Sequence, residues 1–237
     1  MIKKLFFITT IILFWSACQK PDLEPIPVVY NYSYFPMDSG AWREFEVTKI
    51  VIDKPSNVFD TTHYYLLEQW VGLIVSASND SMIRLERFSK IKQNHTWEIL
   101  SVWQSGIINH EAIQVEENIR YLKLDFPVQL NKAWDGNRYN RLDTLNQYSY
   151  KIITINEPYS LNNLLFDSVL TVVQKEKLTK IDKIYFEEKY ALGVGLIEKQ
   201  QTDIYSGEKE YDPNIPVEER ITRGIIYNQK LIGYGNK

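Results

Sequence analysis

Apolar and polar residues alternate along much of this chain, and a repeat of two is the repeat of a β-strand. In residues 42–53, Phe45, Val47 and Lys49 fall on one side of the segment and polar residues on the other, before the alternation slips near Ile50. The frequent Tyr, Trp, Phe, Ile and Val residues suit pleated, half-buried surfaces. No stretch keeps the 3.6-residue apolar repeat of a helix for three turns. The pattern therefore favours strands over helices.

The alternating segments predict about ten to twelve short strands, separated by turn signals such as residues 76–81 and Asp135-Gly136-Asn137. Only residues 162–166 and 217–222 indicate short helical turns. Sequential strands joined by short turns are typical of an all-β fold, here an antiparallel meander curled into a barrel, a half-barrel or a sandwich. The predicted strands cover residues 42–53, 64–75, 82–88, 96–103, 119–126, 148–155, 169–175, 185–190, 196–202 and 224–233.

Alternation also predicts which way individual side chains point. In residues 119–126 the alternation predicts that Leu122, Leu124 and Phe126 point toward the core. It predicts that Tyr121, Lys123 and Asp125 point toward solvent. The adjacent pairs Glu116-Glu117 and Glu187-Glu188 are split by the sheet, because neighbours on a strand point to opposite faces. A glycosidase would need two carboxylates at one site. We therefore expect these four residues to be solvated charges on an outer face.

The first residues have the order of a bacterial export signal. Lys3 and Lys4 form a charged start, and residues 5–15 form an apolar run of eleven residues. As a helix that run spans only about 16 Å, against a hydrocarbon core of about 30 Å. The segment is too short for a permanent membrane span, and residues 1–17 are predicted to be a signal peptide that is removed.

The only cysteine of the chain, Cys18, follows two small residues, Ser16 and Ala17. This arrangement resembles the lipobox of bacterial lipoproteins, in which the cysteine thiol receives a diacylglyceryl group before cleavage in front of it, here between Ala17 and Cys18. Trp15 stands where that motif usually has Leu or another aliphatic residue. The alternative is a plain secretory signal with an incidental cysteine. Two acyl chains hold a protein on a membrane where one binds only reversibly, so the membrane is the expected partner.

The residues after Cys18 predict how the folded body is attached. Residues 19–24 resemble the short polar, acid-containing tag of surface-exposed lipoproteins of the Bacteroidota, which implies the outer membrane and a position facing either the cell surface or the periplasm. Pro21, Pro25 and Pro27 favour an extended, flexible tether over residues 18–33. Residues 34–237 are then expected to form a single β domain.

The charge of the mature chain argues against one class of partner. Removal of Lys3 and Lys4 with the signal leaves 25 of the 27 basic residues against 30 acidic ones, so the body carries a net charge near −5. A nucleic-acid surface needs a basic face to neutralise phosphates. We therefore expect no nucleic-acid partner, while a protein or glycan partner stays open.

Three stretches of the chain resemble a family of uncharacterised Bacteroidota outer-membrane lipoproteins. The first opens with Tyr34-Phe35-Pro36 and continues to the Gly40-Ala41-Trp42 turn, which introduces the first strand. The others are Phe126-Pro127-Val128 with residues 134–137, and the Tyr-Ala-Leu-Gly-Val-Gly-Leu-Ile run of residues 190–197. These motifs are structural, so the resemblance implies a β-rich exported body and carries over no activity.

The sequence contains no recognisable catalytic or metal-binding constellation. His63, His95 and His110 lie far apart, and a zinc site would normally show ligands at short fixed spacing. A lipidated Cys18 leaves no free thiol, and no nucleophile elbow, phosphate loop or dinucleotide fingerprint is present. We predict no metal and no cofactor.

Aromatic residues are the most suggestive feature for ligand binding, because exposed rings can stack on sugar rings. The first pair to consider is Trp97 and Trp103, which are six residues apart and would share one face of a continuous strand. The alternative is that these rings pack within the sheet, as aromatic residues in sheets often do.

Three functional hypotheses follow, and the lining of the largest cavity separates them. A non-enzymatic envelope binding or interaction module, which we favour, predicts a concave aromatic or apolar surface without convergent carboxylates. A glycan-active or peptide-active hydrolase requires a polar cleft with a carboxylate pair, or a nucleophile and base. A carrier of lipids or other hydrophobic ligands requires an apolar cavity of several hundred Å³.

Overall fold

The chain forms one antiparallel sheet of twelve strands in the computed structural model, which describes residues 28–75, 81–140, 149–207 and 211–236. In these ranges helical structure is limited to 3-10 turns at Tyr32–Tyr34, Lys54–Ser56 and Val217–Glu219. The strands are β1 Ala41–Asp53, β2 Val58–Val75, β3 Ser81–Lys90, β4 Glu98–Ile108, β5 Glu111–Glu116, β6 Ile119–Asp125, β7 Ala133–Asp135, β8 Ser149–Leu161, β9 Leu164–Leu178, β10 Asp182–Ala191, β11 Gly195–Tyr205 and β12 Arg223–Asn236. Among the same residues, no helix has the length and apolar character needed to cross a membrane.

The strands follow chain order on both sides of one central pairing. β1 pairs with β12, the meander β1 to β6 extends from it in one direction, and the strands β12 back to β7 extend in the other. The two edges, β6 and β7, come together because the amide of Leu122 donates to the carbonyl of Gly136 at 2.9 Å and the Trp134 indole donates to the carbonyl of Leu122 at 3.0 Å. The sheet is therefore a nearly closed barrel, one of the predicted all-β architectures.

Each of the ten predicted strand segments overlaps an observed strand, and two short strands, β5 and β7, were not predicted. The predicted turn at 135–137 is confirmed, whereas most of the turn at 76–81 lies outside the described residues. The helical turn predicted at 162–166 is wrong. Asn162 has a φ of 53° and begins the tight turn between β8 and β9, and Leu164 already belongs to β9. Asn tolerates this left-handed conformation, which hairpin turns require.

The predicted faces hold along β1 and fail in β6, which contains a β-bulge, where two residues of one strand oppose one residue of the next. Phe45 and Val47 are buried on the inner face, as predicted. Lys123 is the extra residue where β6 pairs with β5, since Ala112 faces Leu124 and Ile113 faces Leu122. Its predicted outward position is wrong, because only 5% of its surface is exposed. The predicted outward position of Tyr121 is also wrong, because Tyr121 lines a small cavity inside the barrel.

The chain before β1 packs into the core of the barrel. Tyr34 is fully buried, and its hydroxyl group bonds with Asn156 Oδ1 at 2.8 Å and with Ser168 Oγ at 2.7 Å. Phe35 is also buried. Before them, Tyr30 stacks on the ring of His110 at 4.4 Å. These contacts attach Tyr30, which lies within the predicted tether, to the turn between β4 and β5, and Tyr34, which follows the tether, to β8 and β9.

Candidate functional site: a charged cavity inside the barrel

The interior of the barrel contains a polar cavity of about 240 Å³. Two larger pockets of about 520 Å³ lie around residues 179–182 and beside His63, and neither contains the charged side chains that line the interior cavity. Strands β1 to β6 and β10 to β12 all contribute to the lining of the interior cavity. Its charged side chains are four cations, Arg43, Arg87, Lys123 and Lys199, and three carboxylates, Glu68, Glu116 and Glu188. A smaller cavity of about 100 Å³ shares Glu116, Lys123, Lys199 and Gln201 with it. Charged side chains are rarely buried unless they are paired, so the contacts within this lining define the site.

A buried carboxylate between two arginines forms one wall. Glu68 lies opposite Arg43 on β1 and opposite Arg87 on β3 in the strand register. Its two oxygens accept hydrogen bonds from Arg43 Nη2 at 3.0 Å and from Arg87 Nε at 3.2 Å. The guanidinium groups also lie over indole rings, Arg43 at 4.3 Å from Trp70 and Arg87 at 3.6 Å from Trp103. Rings and carboxylate together hold both cations in place.

Lys123 and Glu188 form the opposite ion pair, and they are among the most buried charges of the described chain. The Lys123 ammonium donates to Glu188 Oε1 at 2.7 Å and lies 3.5 Å from Glu116. The Tyr190 hydroxyl donates to the other oxygen of Glu188, and Lys199 approaches the same carboxylate at 3.6 Å. Glu188 is 1% exposed and Lys123 is 5% exposed. Each charge is thus stabilised by several partners.

These contacts shift the pKa values of Glu188 and Lys123 in opposite directions, and both shifts favour the charged form. Burial alone would raise the pKa of Glu188, but the charges of Lys123 and Lys199 and the hydrogen bonds from Lys123 and Tyr190 lower this pKa to about 2. Burial alone would lower the pKa of Lys123, and the charges of Glu188 and Glu116 outweigh it and raise this pKa well above its ordinary value. Both groups are therefore charged at neutral pH.

Acid should destabilise the fold through Glu188. Between its ordinary pKa of 4.5 and the folded value of about 2, the unfolded chain takes up a proton that the folded carboxylate does not. The free energy of unfolding should therefore fall with decreasing pH, by up to about 1.4 kcal/mol per pH unit from this group. We expect urea unfolding at pH 5, 3.5 and 2.5 to show a weaker pH dependence for Glu188→Gln. An equal acid loss in the variant would contradict this assignment.

The predicted pairs of adjacent carboxylates are split by the sheet, but they are not all solvated. Glu188 points into the cavity, while Glu187, also buried at 8% exposure, faces the other side and bonds with Lys189 and Tyr185. Glu116 lines the cavity and Glu117 accepts the Trp103 indole N–H at 3.1 Å. The expectation of solvated outer charges is therefore wrong for Glu187 and Glu188, which are buried and paired with Lys189 and Lys123.

Trp97 and Trp103 lie on opposite faces of the sheet. Trp103 lines the cavity. Trp97 precedes β4, and its ring lies 4.0 Å from the ammonium of Lys90, whose cross-strand partner is the outward-facing Tyr65. The expectation of a shared face is wrong because Leu100 is an extra residue where β4 pairs with β3, which reverses the alternation between the two tryptophans.

Other predicted site residues do not contribute to this cavity. Ala17 and Cys18, the predicted cleavage and lipid attachment positions, lie outside the described residues. His63 contacts the Thr48 hydroxyl at 3.0 Å, and His95 is exposed. Within the described ranges, no three His, Cys, Asp or Glu side chains converge as a metal ion would require.

The charged lining was not predicted, although part of it has a sequence signal. Arg43 is in phase with Phe45 and Val47, and Glu68 is in phase with Leu66 and Trp70. A charged residue on the apolar side of a strand is stable only when a buried group pairs with its charge. Lys123 carries no such signal because its bulge reverses the phase.

The fold and the cavity together define an all-β barrel with a charged interior. No family model matches the chain, and no curated protein matches it. Among solved structures, the chain is similar to a protein of Bacteroides fragilis described as exported and as having a YmcC-like fold. The two chains share 10% identity with a TM-score of 0.40, over 89% of this chain and 100% of the other. A similarity at this level indicates neither a family nor a function for this chain.

Proposed function

We propose that this chain is an envelope lipoprotein that binds a small polar molecule inside its barrel and is not an enzyme. The observation that carries the binding role is the cavity of about 240 Å³ with its charged lining. The lipobox-like Ser16-Ala17-Cys18 supports a lipid anchor at Cys18. The resemblance to Bacteroidota lipoproteins supports a place at the outer membrane, facing either the cell surface or the periplasm.

The size of the cavity limits the ligand. A protein cavity of about 150 Å³ accommodates benzene, and pockets for drug-sized molecules occupy about 300–1,000 Å³. A cavity of about 240 Å³ lies between these values and suits a molecule the size of one sugar ring. Leu100, half-exposed at its bulge in β4, is the one lining residue that is exposed to solvent.

The lining favours binding of a polar ligand over lipid transport and over hydrolysis. It is more polar than the aromatic or apolar surface first expected of a binding module, because Glu68, Glu116 and Glu188 converge on it. It is equally unlike the apolar cavity that a lipid carrier needs. A glycosidase needs a carboxylic acid that is protonated near neutral pH, and Glu188, with a pKa of about 2, does not meet that requirement.

The binding role predicts stabilisation by small polar compounds. The probes are three acids, glucuronate, benzoate and hexanoate, and their neutral amides, glucuronamide, benzamide and hexanamide, each added to the full-length protein. A compound at ten times its Kd stabilises the fold by about 1.4 kcal/mol, which for a chain of this size raises the Tm by roughly 3–6 °C. We expect at least one of the six to do so in a thermal unfolding experiment.

Two variants on neighbouring positions of β11 localise the effect. Gln201 lines both cavities, and Gln201→Trp should fill the space and remove the stabilisation. Thr202 points to the outer face, and Thr202→Trp should leave the stabilisation intact. The proposal is overturned if no probe stabilises the wild-type protein, or if both variants respond equally to the probe that does.

A further inference from the structure

We infer that the ligand carries a single negative charge, as a small carboxylate does, and that Lys199 and Gln229 bind its carboxylate group. This inference rests on the proposed binding function, because it specifies the ligand of the same cavity. Three features support it, namely the charge balance of the lining, an unpaired buried donor and the strand register that places the two side chains together.

The charges of the lining do not balance. Four cations face three carboxylates, so the cavity keeps a surplus of one positive charge, although the chain as a whole is acidic. Glu68 neutralises one arginine while it bonds with two, and Lys123 bonds with Glu188. A surplus charge inside a protein is costly unless an opposite charge joins it. A monoanion in the cavity would complete the balance.

Lys199 is the cation with the weakest attachment to the lining. Its ammonium forms an ion pair with Glu188 at 3.6 Å, beyond hydrogen-bond distance, and has no hydrogen-bond acceptor among the described residues. By contrast, Lys123 approaches the same carboxylate at 2.7 Å. Arg43 and Arg87 lie at 3.0 and 3.2 Å from Glu68. Among the four cations of the lining, Lys199 is therefore the one whose N–H donors are available to a ligand.

Gln229 provides a second donor beside Lys199. It is 2% exposed and lines the cavity, and its Oε1 accepts the Tyr227 hydroxyl at 2.7 Å. That bond leaves the amide nitrogen as the free end, and this buried Nε2 has no hydrogen-bond partner among the described residues. A buried donor without an acceptor is destabilising, so the site favours a ligand that supplies an acceptor oxygen.

The register places these two donors side by side. Lys199 on β11 lies directly opposite Gln229 on β12, and directly opposite residues have Cβ atoms about 4.5–5.5 Å apart. A carboxylate has two acceptor oxygens on one carbon and can bond with both donors at once. A phosphate monoester, which carries close to two negative charges at neutral pH, would leave a net negative charge instead.

The acid and amide probes test this inference on the full-length protein at constant ionic strength, with Kd measured by calorimetry. We expect each acid that binds to have a Kd at least tenfold lower than that of its amide. Lys199→Met should raise the Kd of the acid at least tenfold and change that of the amide less than threefold. Lys199→Arg, which keeps the charge, should retain the preference for the acid.

Lys230→Met is the matched control, because Lys230 follows Gln229 on β12 and its side chain, 41% exposed, approaches Glu198 on the outer face. This variant should bind the acids as the wild-type protein does. Equal affinity for acid and amide, or an acid preference that survives Lys199→Met, overturns the inference and leaves the binding function standing. Failure of every probe to bind would instead overturn the binding function itself.

Discussion

Replacement of Lys123 by Met should lower the free energy of unfolding by about 3–5 kcal/mol, the usual cost of leaving one partner of a buried ion pair alone. Glu188 would remain at 1% exposure with its charge, and it would lose the ammonium group that bonds with it at 2.7 Å. Lys199 at 3.6 Å would compensate only in part. Urea unfolding at pH 7 measures the loss.

Removal of both charges should recover most of that loss. In Lys123→Met/Glu188→Gln, the amide oxygen still accepts the Tyr190 hydroxyl and no buried carboxylate remains without a partner. Lys183→Met is the control for losing an exposed lysine, since the side chains of Lys183 and its partner Glu218 are 35% and 45% exposed. Exposed pairs contribute at most about 1 kcal/mol. If Lys123→Met costs no more than Lys183→Met, the buried pair does not hold the barrel interior together.

The fold class follows from the sequence because alternation is a local property that needs no knowledge of the partner strand. β1 illustrates this, since it pairs with β2 without a shift and buries Phe45 and Val47 as its pattern predicts. The choice between barrel and sandwich is not local. It depends on contacts between the sheet edges, such as those of Leu122 with Gly136 and Trp134, which no pattern within one strand encodes.

Part of the cavity lining could not be predicted from the sequence, because β-bulges place it. Lys123 in β6 and Leu100 in β4 are each an extra residue in their pairing, and both line the cavity. Gln174 is the extra residue where β9 pairs with β10, and it lines the smaller cavity. One inserted residue reverses the alternation beyond it, and nothing in these three residue types marks the insertion. The faces predicted from alternation therefore fail at these three positions.

The charged partners are also far apart in the sequence. Lys123 and Glu188 are separated by 65 residues, and the pair exists only because the barrel brings β6 and β10 to one interior. Arg43 and Glu68 are partly predictable, because each occupies a position on the apolar side of its strand. From such positions the sequence could have predicted buried charges, although not their partners.

The proposed lipid anchor predicts that Cys18→Ala abolishes fatty acylation and releases the protein from the membrane. The thiol of Cys18 is the only one in the chain, so no other cysteine could accept the lipid. In cells grown with an alkyne analogue of palmitate, the wild-type protein should carry the label and stay with membranes through a carbonate wash. The Cys18→Ala protein should be unlabelled, and most of it should appear in the soluble fraction. Two acyl chains would account for the difference, because they bind a bilayer far more strongly than one.

Ser16→Ala is the matched control for this experiment, because it keeps a small residue next to Ala17 and leaves the thiol unchanged. It should behave as the wild-type protein does in labelling and fractionation. Mass spectrometry of the membrane-bound form should find a chain that begins at Cys18 with a diacylglyceryl group on its sulfur. A free thiol there, or membrane retention of Cys18→Ala equal to that of Ser16→Ala, would contradict the anchor. The proposed anchor would then be wrong, while the proposed ligand-binding role would still be tested by Gln201→Trp.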